Sequence, residues 1–180
     1  MESISVSTQR DFLRLNVGFI IHQTVGYYRD FPFESDKIHI PPDLDLEQLS
    51  GNAKVTRAAQ GLLVQVKMRA NTAAQCVRCL DDFSQPLEIE FTELYAFSPN
   101  SATESGLLVP EIGKIDLEPL IREEMLLAVP ISPLCSPDCK GICPVCGGNR
   151  NETPCQHDEG PLESRLDVLQ NLLEEEQNST

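Results

Sequence analysis

The sequence predicts an α+β protein in which an antiparallel β-sheet or small open barrel is followed by a helix, a cysteine-rich metal-binding module and a C-terminal helix. Apolar and polar residues alternate in residues 62–70 and 87–97, the pattern of half-buried antiparallel strands. Apolar residues recur at helical spacing in residues 116–128 and 162–173. Five of the seven cysteines lie within residues 135–155. Together these patterns order the chain into sheet, helix, module and helix.

The β-rich domain with one helix is expected to cover residues 10–130, the module and C-terminal helix 131–173, and a flexible tail 174–180. Residues 12–21 are predicted to form a buried strand, and residues 23–34 a connection. Residues 51–59 and 62–70 are predicted to be two strands joined at Gln60-Gly61. The residues expected to face inward are Leu62, Val64, Val66 and Met68, and further on Leu87, Ile89, Phe91 and Leu94.

Two segments have helical spacing. Asp116 can cap a helix that runs to Ala128, and Pro130 ends it. Its predicted apolar positions are Leu117, Leu120, Ile121, Met125 and Ala128. In residues 162–173 the leucines at 162, 166, 169 and 173 predict a short amphipathic helix that docks on the domain.

The chain has no run of 18 apolar residues, and Glu2 and Asp11 interrupt the N-terminal segment where a secretory signal would be apolar. We therefore expect a cytoplasmic protein without a membrane partner. In a reducing compartment, clustered cysteines more often bind metal than form disulfides. The clustering of five cysteines in residues 135–155 accordingly favours a metal site.

The formal net charge is −14, yet residues 48–80 contain no acid. That segment carries five cations, which form the candidate partner-binding set: Lys54, Arg57, Lys67, Arg69 and Arg78. The alternative is that these side chains occupy the solvent side of strands. Nucleic-acid affinity depends on many cationic contacts, so the overall charge favours a bound protein over tight unaided RNA binding.

The metal site is predicted at Cys135, Cys139, Cys143 and Cys146, spaced C-x3-C-x3-C-x2-C. Two thiolates three residues apart chelate one ion when the chain turns tightly between them, and the glycine after Cys146 permits that turn. A tetrahedral zinc site needs two more soft ligands, which Cys135 and Cys139 offer. Four thiolates leave no open position for substrate, so the site is expected to be structural.

Other ligand sets compete with this quartet. Cys155 and His157 can replace Cys135 or Cys139, because the loop that leads to them closes with less strain. Alternatively, Cys76 and Cys79 can pair with Cys143 and Cys146 as in a zinc ribbon. An iron–sulfur cluster accepts the same four thiolates, and spacing leaves it open.

No catalytic residues are identified. The histidines are isolated in sequence, and no phosphate-binding glycine loop or nucleophile elbow is present. Cys76 and Cys79 form a C-x2-C pair that can serve a thiol–disulfide oxidoreductase, with Arg78 lowering the thiol pKa. Such a motif normally opens a helix in a βαβ unit, whereas this pair follows an antiparallel strand.

The combination of CVRCL at 76–80, EMLLAVPISPLC at 124–135, CKGICPVCGGNRN at 139–151 and the RLxxL pattern that starts at Arg165 resembles the cysteine-bearing branch of the YceD family, the large ribosomal RNA subunit accumulation proteins. The resemblance covers roughly residues 10–173. It implies a β-rich, non-enzymatic factor in large-subunit biogenesis, whose metal-binding tail belongs to one branch of the family.

Two positions depart from the family pattern. His157 stands where that branch often has a second cysteine, and Glu163-Ser164-Arg165 replaces Asp-Pro-Arg. The combined expectation is a zinc-containing factor that acts by binding a protein or rRNA component of the large-subunit precursor, with no small-molecule substrate. The alternatives are the thiol–disulfide oxidoreductase and a structural subunit of another complex.

Overall fold

The computed structural model describes residues 12–153, 155 and 157. Its main feature is an antiparallel four-stranded sheet in the order β2-β3-β4-β5. These strands are β2 (Tyr28–Ile40), β3 (Leu44–Arg57), β4 (Gly61–Gln75) and β5 (Asp82–Ala96). A two-stranded ribbon joins β1 (Arg14–Asn16) to β6 (Lys114–Asp116). The helices are α1 (Gly18–Ile21) and α2 (Glu118–Ala128), with a 3-10 turn at Pro99–Ser101.

The predicted antiparallel sheet is present, and the alternative of a small open barrel is not confirmed. The alternating run in β4 buries the expected residues, Leu62, Val64, Val66 and Met68. In β5, Leu87 and Ile89 are buried as predicted, but Tyr95 is buried where Leu94 was expected. Because strand side chains alternate with period two, position 95 shares a face with 87 and 89, and position 94 lies on the other.

Two N-terminal segments differ from the prediction. Residues 12–21 contain only the three-residue strand β1, followed by α1, rather than one buried strand. The predicted connection at 23–34 is strand from Tyr28 onward. Strand β2 lies at the sheet edge, where only Phe33 is buried among its first residues, so its alternation is weak in the sequence.

A β-bulge in β3 changes which of its residues face the core. Gln48 has a positive φ of 52°, and the register of β3 on β4 shifts between Glu47 and Ser50. A bulge inserts one extra residue, so the residues that face the core have even numbers before it and odd numbers after it. Leu46 is buried before the bulge and Ala53 after it, one at an even and one at an odd position.

The predicted helix is present as α2 and ends at Ala128 as expected, whereas Asp116 lies one residue before the N-cap position, which is Leu117. Asp116 Oδ1 accepts a hydrogen bond from the Glu118 N–H at 3.0 Å, which satisfies one of the unpaired donors of the first turn. Ile121 and Met125 are fully buried against the inner face of the sheet, in one core cluster that also includes Ile115 of β6. The ion pair between Arg122 and Asp43, at 2.5 Å, connects α2 to the tip of the β2–β3 hairpin.

Both edge strands of the main sheet contain a proline, Pro32 in β2 and Pro86 in β5. Proline lacks the N–H that a neighbouring strand would accept, and it is therefore tolerated at sheet edges and discourages further strand pairing. The sheet is consequently protected against growth at both edges.

Beyond the sheet, the chain from Val129 to Thr153 contains turns and one isolated bridge between Ile142 and Asn149. The predicted C-terminal helix at 162–173 and the tail at 174–180 lie outside the described residues. Among the residues that are described, no helix has both the length and the apolar character needed to cross a membrane.

Candidate metal centres

The first cysteine group consists of Cys76, Cys79, Cys135 and Cys139, whose four sulfurs all lie within 4.8 Å of one another. The Cys76 and Cys139 sulfurs are 3.7 Å apart, and those of Cys79 and Cys135 are 3.6 Å apart. Metal–sulfur bonds of about 2.3 Å at tetrahedral angles place sulfurs about 3.8 Å apart. The group therefore has the spacing of a tetrahedral four-thiolate site.

The first cysteine group joins two distant parts of the chain. Cys76 and Cys79 lie in the turn between β4 and β5, while Cys135 and Cys139 follow α2. The Val77 N–H donates to the Pro133 carbonyl at 3.0 Å, which holds the two segments side by side. An ion in this group would therefore bridge the end of the sheet to the segment that leaves the helix.

The second cysteine group consists of Cys143, Cys146, Cys155 and His157, whose ligand atoms also lie within 4.8 Å of one another. Cys143 is buried, Cys155 is half-buried, and Cys146 and His157 are exposed. Three thiolates with one imidazole are a standard donor set for structural zinc. The two groups share no residue.

The two C-x2-C pairs form the same turn. In the first turn, residues 76–80, the Leu80 N–H donates to the Cys76 carbonyl at 2.9 Å. The Gly147 N–H donates to the Cys143 carbonyl at the same distance. Leu80 and Gly147 both have positive φ, 63° and 71°. Glycine adopts this conformation freely, whereas in leucine it is strained, so the first turn maintains its geometry at a conformational cost.

Two asparagines of the NRN segment support the first cysteine group. Asn151 Nδ2 donates to the Cys139 sulfur at 3.3 Å, and its Oδ1 accepts the Lys140 N–H at 2.7 Å. Asn149 Nδ2 donates to Asp81 Oδ2 at 2.7 Å. These asparagines are not ligands themselves. They hold Cys139 and the ends of the two ligand segments in position, as residues around the ligands do in metal sites.

Hydrogen bonds favour the thiolate form of several ligands. The backbone N–H groups of Cys135 and Cys79 lower the pKa of Cys76 to about 6. Those of Cys146 and Val145 lower the pKa of Cys143 to about 7. The Asn151 amide lowers the pKa of Cys139 in the same way. Because metals bind thiolates, these donors favour the metal-binding form of Cys76, Cys139 and Cys143.

The structure divides the predicted quartet between the two groups. Cys135 and Cys139 lie with Cys76 and Cys79, and Cys143 and Cys146 lie with Cys155 and His157. The set with Cys155 and His157 follows one alternative weighed from the sequence, whereas the set that joins Cys76 and Cys79 to Cys135 and Cys139 does not. Spacing along the chain favoured neighbouring cysteines, whereas the β4–β5 turn provides two ligands from more than fifty residues away.

The donor sets allow some distinction between chemistries. Four thiolates suit zinc or an iron–sulfur cluster, while the imidazole in the second group suits zinc. In the first group four protein ligands leave no open coordination position. Cys76 is fully buried, and a redox-active thiol has to be accessible, so the burial argues against the thiol–disulfide alternative.

The five predicted cations do not form one surface. Lys54, Lys67 and Arg69 alternate with buried residues and therefore lie on the outer face of the sheet. Arg57 is the last residue of β3, and its Nε donates a hydrogen bond to the Ile21 carbonyl at 3.0 Å. Arg78 belongs to the first cysteine turn and donates to the Cys139 carbonyl at 3.0 Å.

Acidic residues of β5 face the outer cations. Lys67 forms an ion pair with Glu90 at 2.8 Å, and Arg69 lies opposite Glu88 in the strand register. Lys54 lies over the Tyr28 ring, 4.5 Å from its centre. The outer face is thus a mixed-charge surface rather than a basic patch.

Comparison with known proteins assigns the chain to a family. The model of the large ribosomal RNA subunit accumulation protein YceD family matches residues 64–173, more than half of the chain, and the protein belongs to this family. The matched segment contains all eight residues of the two cysteine groups. The family is named for an accumulation protein rather than for an enzyme.

Several curated proteins are similar. An uncharacterized protein of Mycobacterium tuberculosis is 35% identical over 125 residues, covering 62% of this chain and 60% of the relative. YlbN of Bacillus subtilis is 30% identical over 106 residues, covering 58% and 62%. The chloroplastic large ribosomal RNA subunit accumulation protein YCED homolog 1 of Arabidopsis thaliana is 34% identical over 68 residues, covering 38% and 21%. The chain spans about 60% of the length of the first of these relatives. No solved structure matches it.

Proposed function

We propose that this protein is a cytoplasmic, non-enzymatic factor for the accumulation of large-subunit ribosomal RNA, which acts by binding during ribosome biogenesis. The observation that carries the proposal is the family match over residues 64–173. The name of the Arabidopsis relative supports the same pathway. The donor sets of the two cysteine groups support a structural rather than a catalytic role for metal.

Zinc is the proposed ion of the first cysteine group. It would be held by Cys76, Cys79, Cys135 and Cys139, and it would supply a fixed tetrahedral link between the β4–β5 turn and the segment after α2. In small zinc modules, the binding of structural zinc contributes on the order of 10–16 kcal/mol to the free energy of folding. In this protein that free energy would order residues 131–153, which have little regular secondary structure.

The proposed contact surface is the outer face of the sheet around Lys54, Lys67 and Arg69. Glutamates lie beside two of these cations, and the chain carries a formal net charge of −14. A mixed-charge face suits a protein component of the large-subunit precursor better than bare rRNA, because RNA affinity requires a net cationic surface.

Charge reversal at Lys67 and Arg69 tests the surface. The double variant K67E/R69E is expected to lose most co-sedimentation with large-subunit precursors on a gradient. The fold should persist, because exposed ion pairs contribute only about 0–1 kcal/mol. K37E is the matched control, since Lys37 is an exposed lysine that pairs with Glu47 in the β2–β3 hairpin. Equal co-sedimentation of the double variant and the native protein would refute the proposed surface.

A further inference from the structure

We propose that the second cysteine group binds a metal ion of its own, and that this ion is coupled to the ion in the first group through residues 147–151. This inference depends on the proposed function in one respect, the metal ion proposed for the first group. Its starting point is that Cys143, Cys146, Cys155 and His157 form a complete four-ligand set that shares no residue with Cys76, Cys79, Cys135 and Cys139.

The backbone around the second group supports a separate site. The Cys143 N–H donates to the Gly148 carbonyl at 2.8 Å, and the Cys76 N–H makes the equivalent bond to the Asp81 carbonyl at 2.9 Å. The second cysteine turn, residues 143–147, therefore has the same hydrogen-bonded form as the first. Each turn offers two sulfurs to its own group, so two ions per chain are expected.

The link between the groups is the segment that follows the second turn. The Arg150 N–H donates to the Gly141 carbonyl at 2.9 Å, and the Ile142 N–H donates to the Arg78 carbonyl at 3.0 Å. Asn151 reaches the Cys139 sulfur and the Lys140 N–H. Residues 147–151 thus contact the backbone and one ligand of the first group.

The contacts of Arg150 and Asn151 lie inside a loop that the second ion would close. Cys146 and Cys155 belong to the second group, and only eight residues separate them. An ion bound to Cys146 and Cys155 closes this loop and restricts its conformations before Asn151 contacts Cys139. Less conformational entropy is then lost when that contact forms. An ion in the second group therefore strengthens metal binding in the first, and thermodynamic linkage requires the reverse effect to be equal.

The test measures zinc stoichiometry and affinity on the full-length chain, purified under reducing conditions. Elemental analysis should give two zinc ions for the native protein and one each for C76S and C143S. Competition with a chromophoric chelator should show that the ion remaining in C143S is held roughly tenfold more weakly than the first-group ion of the native protein, the size typical of second-sphere losses.

Asn151→Ala separates coupling from ligand loss, because it retains all eight ligands. We expect N151A to bind two ions with roughly tenfold weaker affinity at the first group. N52A is its matched control, since Asn52 donates a comparable amide hydrogen bond to Asp30 on the sheet. Circular dichroism of each variant verifies that the sheet is intact.

One zinc ion per native chain that is lost in C76S and retained in C143S would overturn the second site. Two ions in the native chain, together with an unchanged first-group affinity in both C143S and N151A, would overturn the coupling. If C76S lost no ion while C143S lost one, the metal in the proposed function would fail, but the second site would stand. The two proposals therefore fail in different ways.

Discussion

Gly141 offers a sharp test of how the two cysteine groups are held together. It has a φ of 71°, and a Cβ at this position would lie 3.0 Å from the Arg78 carbonyl oxygen and 3.3 Å from the Arg78 Cβ. Alanine in this conformation costs about 1–2 kcal/mol. The added methyl group also pushes away the carbonyl that accepts the Ile142 N–H, and the loss of that hydrogen bond costs about 1 kcal/mol more.

The expected destabilisation of G141A is therefore about 2–3 kcal/mol. Gly147 provides the control, because it has the same φ of 71° and nothing within 4 Å of its added Cβ. G147A should incur only the backbone cost, about 1–2 kcal/mol. At roughly 2–4 °C per kcal/mol for a chain of this size, G141A should melt about 2–4 °C below G147A.

The assay is thermal unfolding of the zinc-loaded chain, combined with chelator competition. G141A should also weaken the first-group ion, because it separates Arg78 from the Cys139 segment. G147A should leave that affinity unchanged apart from any effect transmitted by the second group. Equal melting temperatures and equal first-group affinities in the two variants would refute the close packing of Gly141 on Arg78.

Two further predictions concern the sheet domain. Met125 is fully buried, so Met125→Ala should lower the free energy of unfolding, measured by urea titration, by about 2–5 kcal/mol. Leu127 on the same helix is 74% exposed, and Leu127→Ala should change this free energy by less than about 0.5 kcal/mol. Similar losses in the two variants would contradict the packing of α2. Burial, helped by the carboxylates of Glu93 and Asp116, raises the pKa of Tyr95 to about 12. The folded state holds this proton more tightly than the unfolded chain, so stability should fall as the pH rises from 10 to 12, and Tyr95→Phe should remove that part of the decline. A tyrosinate absorbance titration in which Tyr95→Phe removes no late-ionising tyrosine would rule this out.

The sheet core could be predicted where one face is buried and the other is solvated. Strand β4 meets this condition along most of its length, and its four predicted inward residues are all buried. Strand β2 does not, because it is an edge strand with Pro32 inside it and few buried side chains. The first half of β3 was missed for a different reason. The bulge at Gln48 shifts the buried positions from even to odd residue numbers, so no single alternation runs through the strand.

The cysteine groups show the limit of spacing arguments. Proximity along the chain correctly pairs Cys143 with Cys146, and C-x2-C followed by Leu80 or Gly147 indicates two equivalent turns. It does not indicate which distant pair completes each group. That depends on α2, which brings Cys135 and Cys139 back to the end of the β4–β5 hairpin. His157 and Cys155 could be considered from the sequence as ligands beside Cys143 and Cys146, but the partners of Cys76 and Cys79 follow only from the fold.

The position of Cys76 and Cys79 in the hairpin turn has a consequence for synthesis. Both thiols and the main sheet that presents them are translated before α2, Cys135 and Cys139 exist. The nascent chain therefore holds a two-thiol chelate at the end of a nearly finished sheet, and the four-ligand site is completed only when the chain has been made past Cys139. Tight metal binding would then require the segment that ends at Cys139. A chain that ended before this segment would keep only a bidentate, weakly binding pair of thiols.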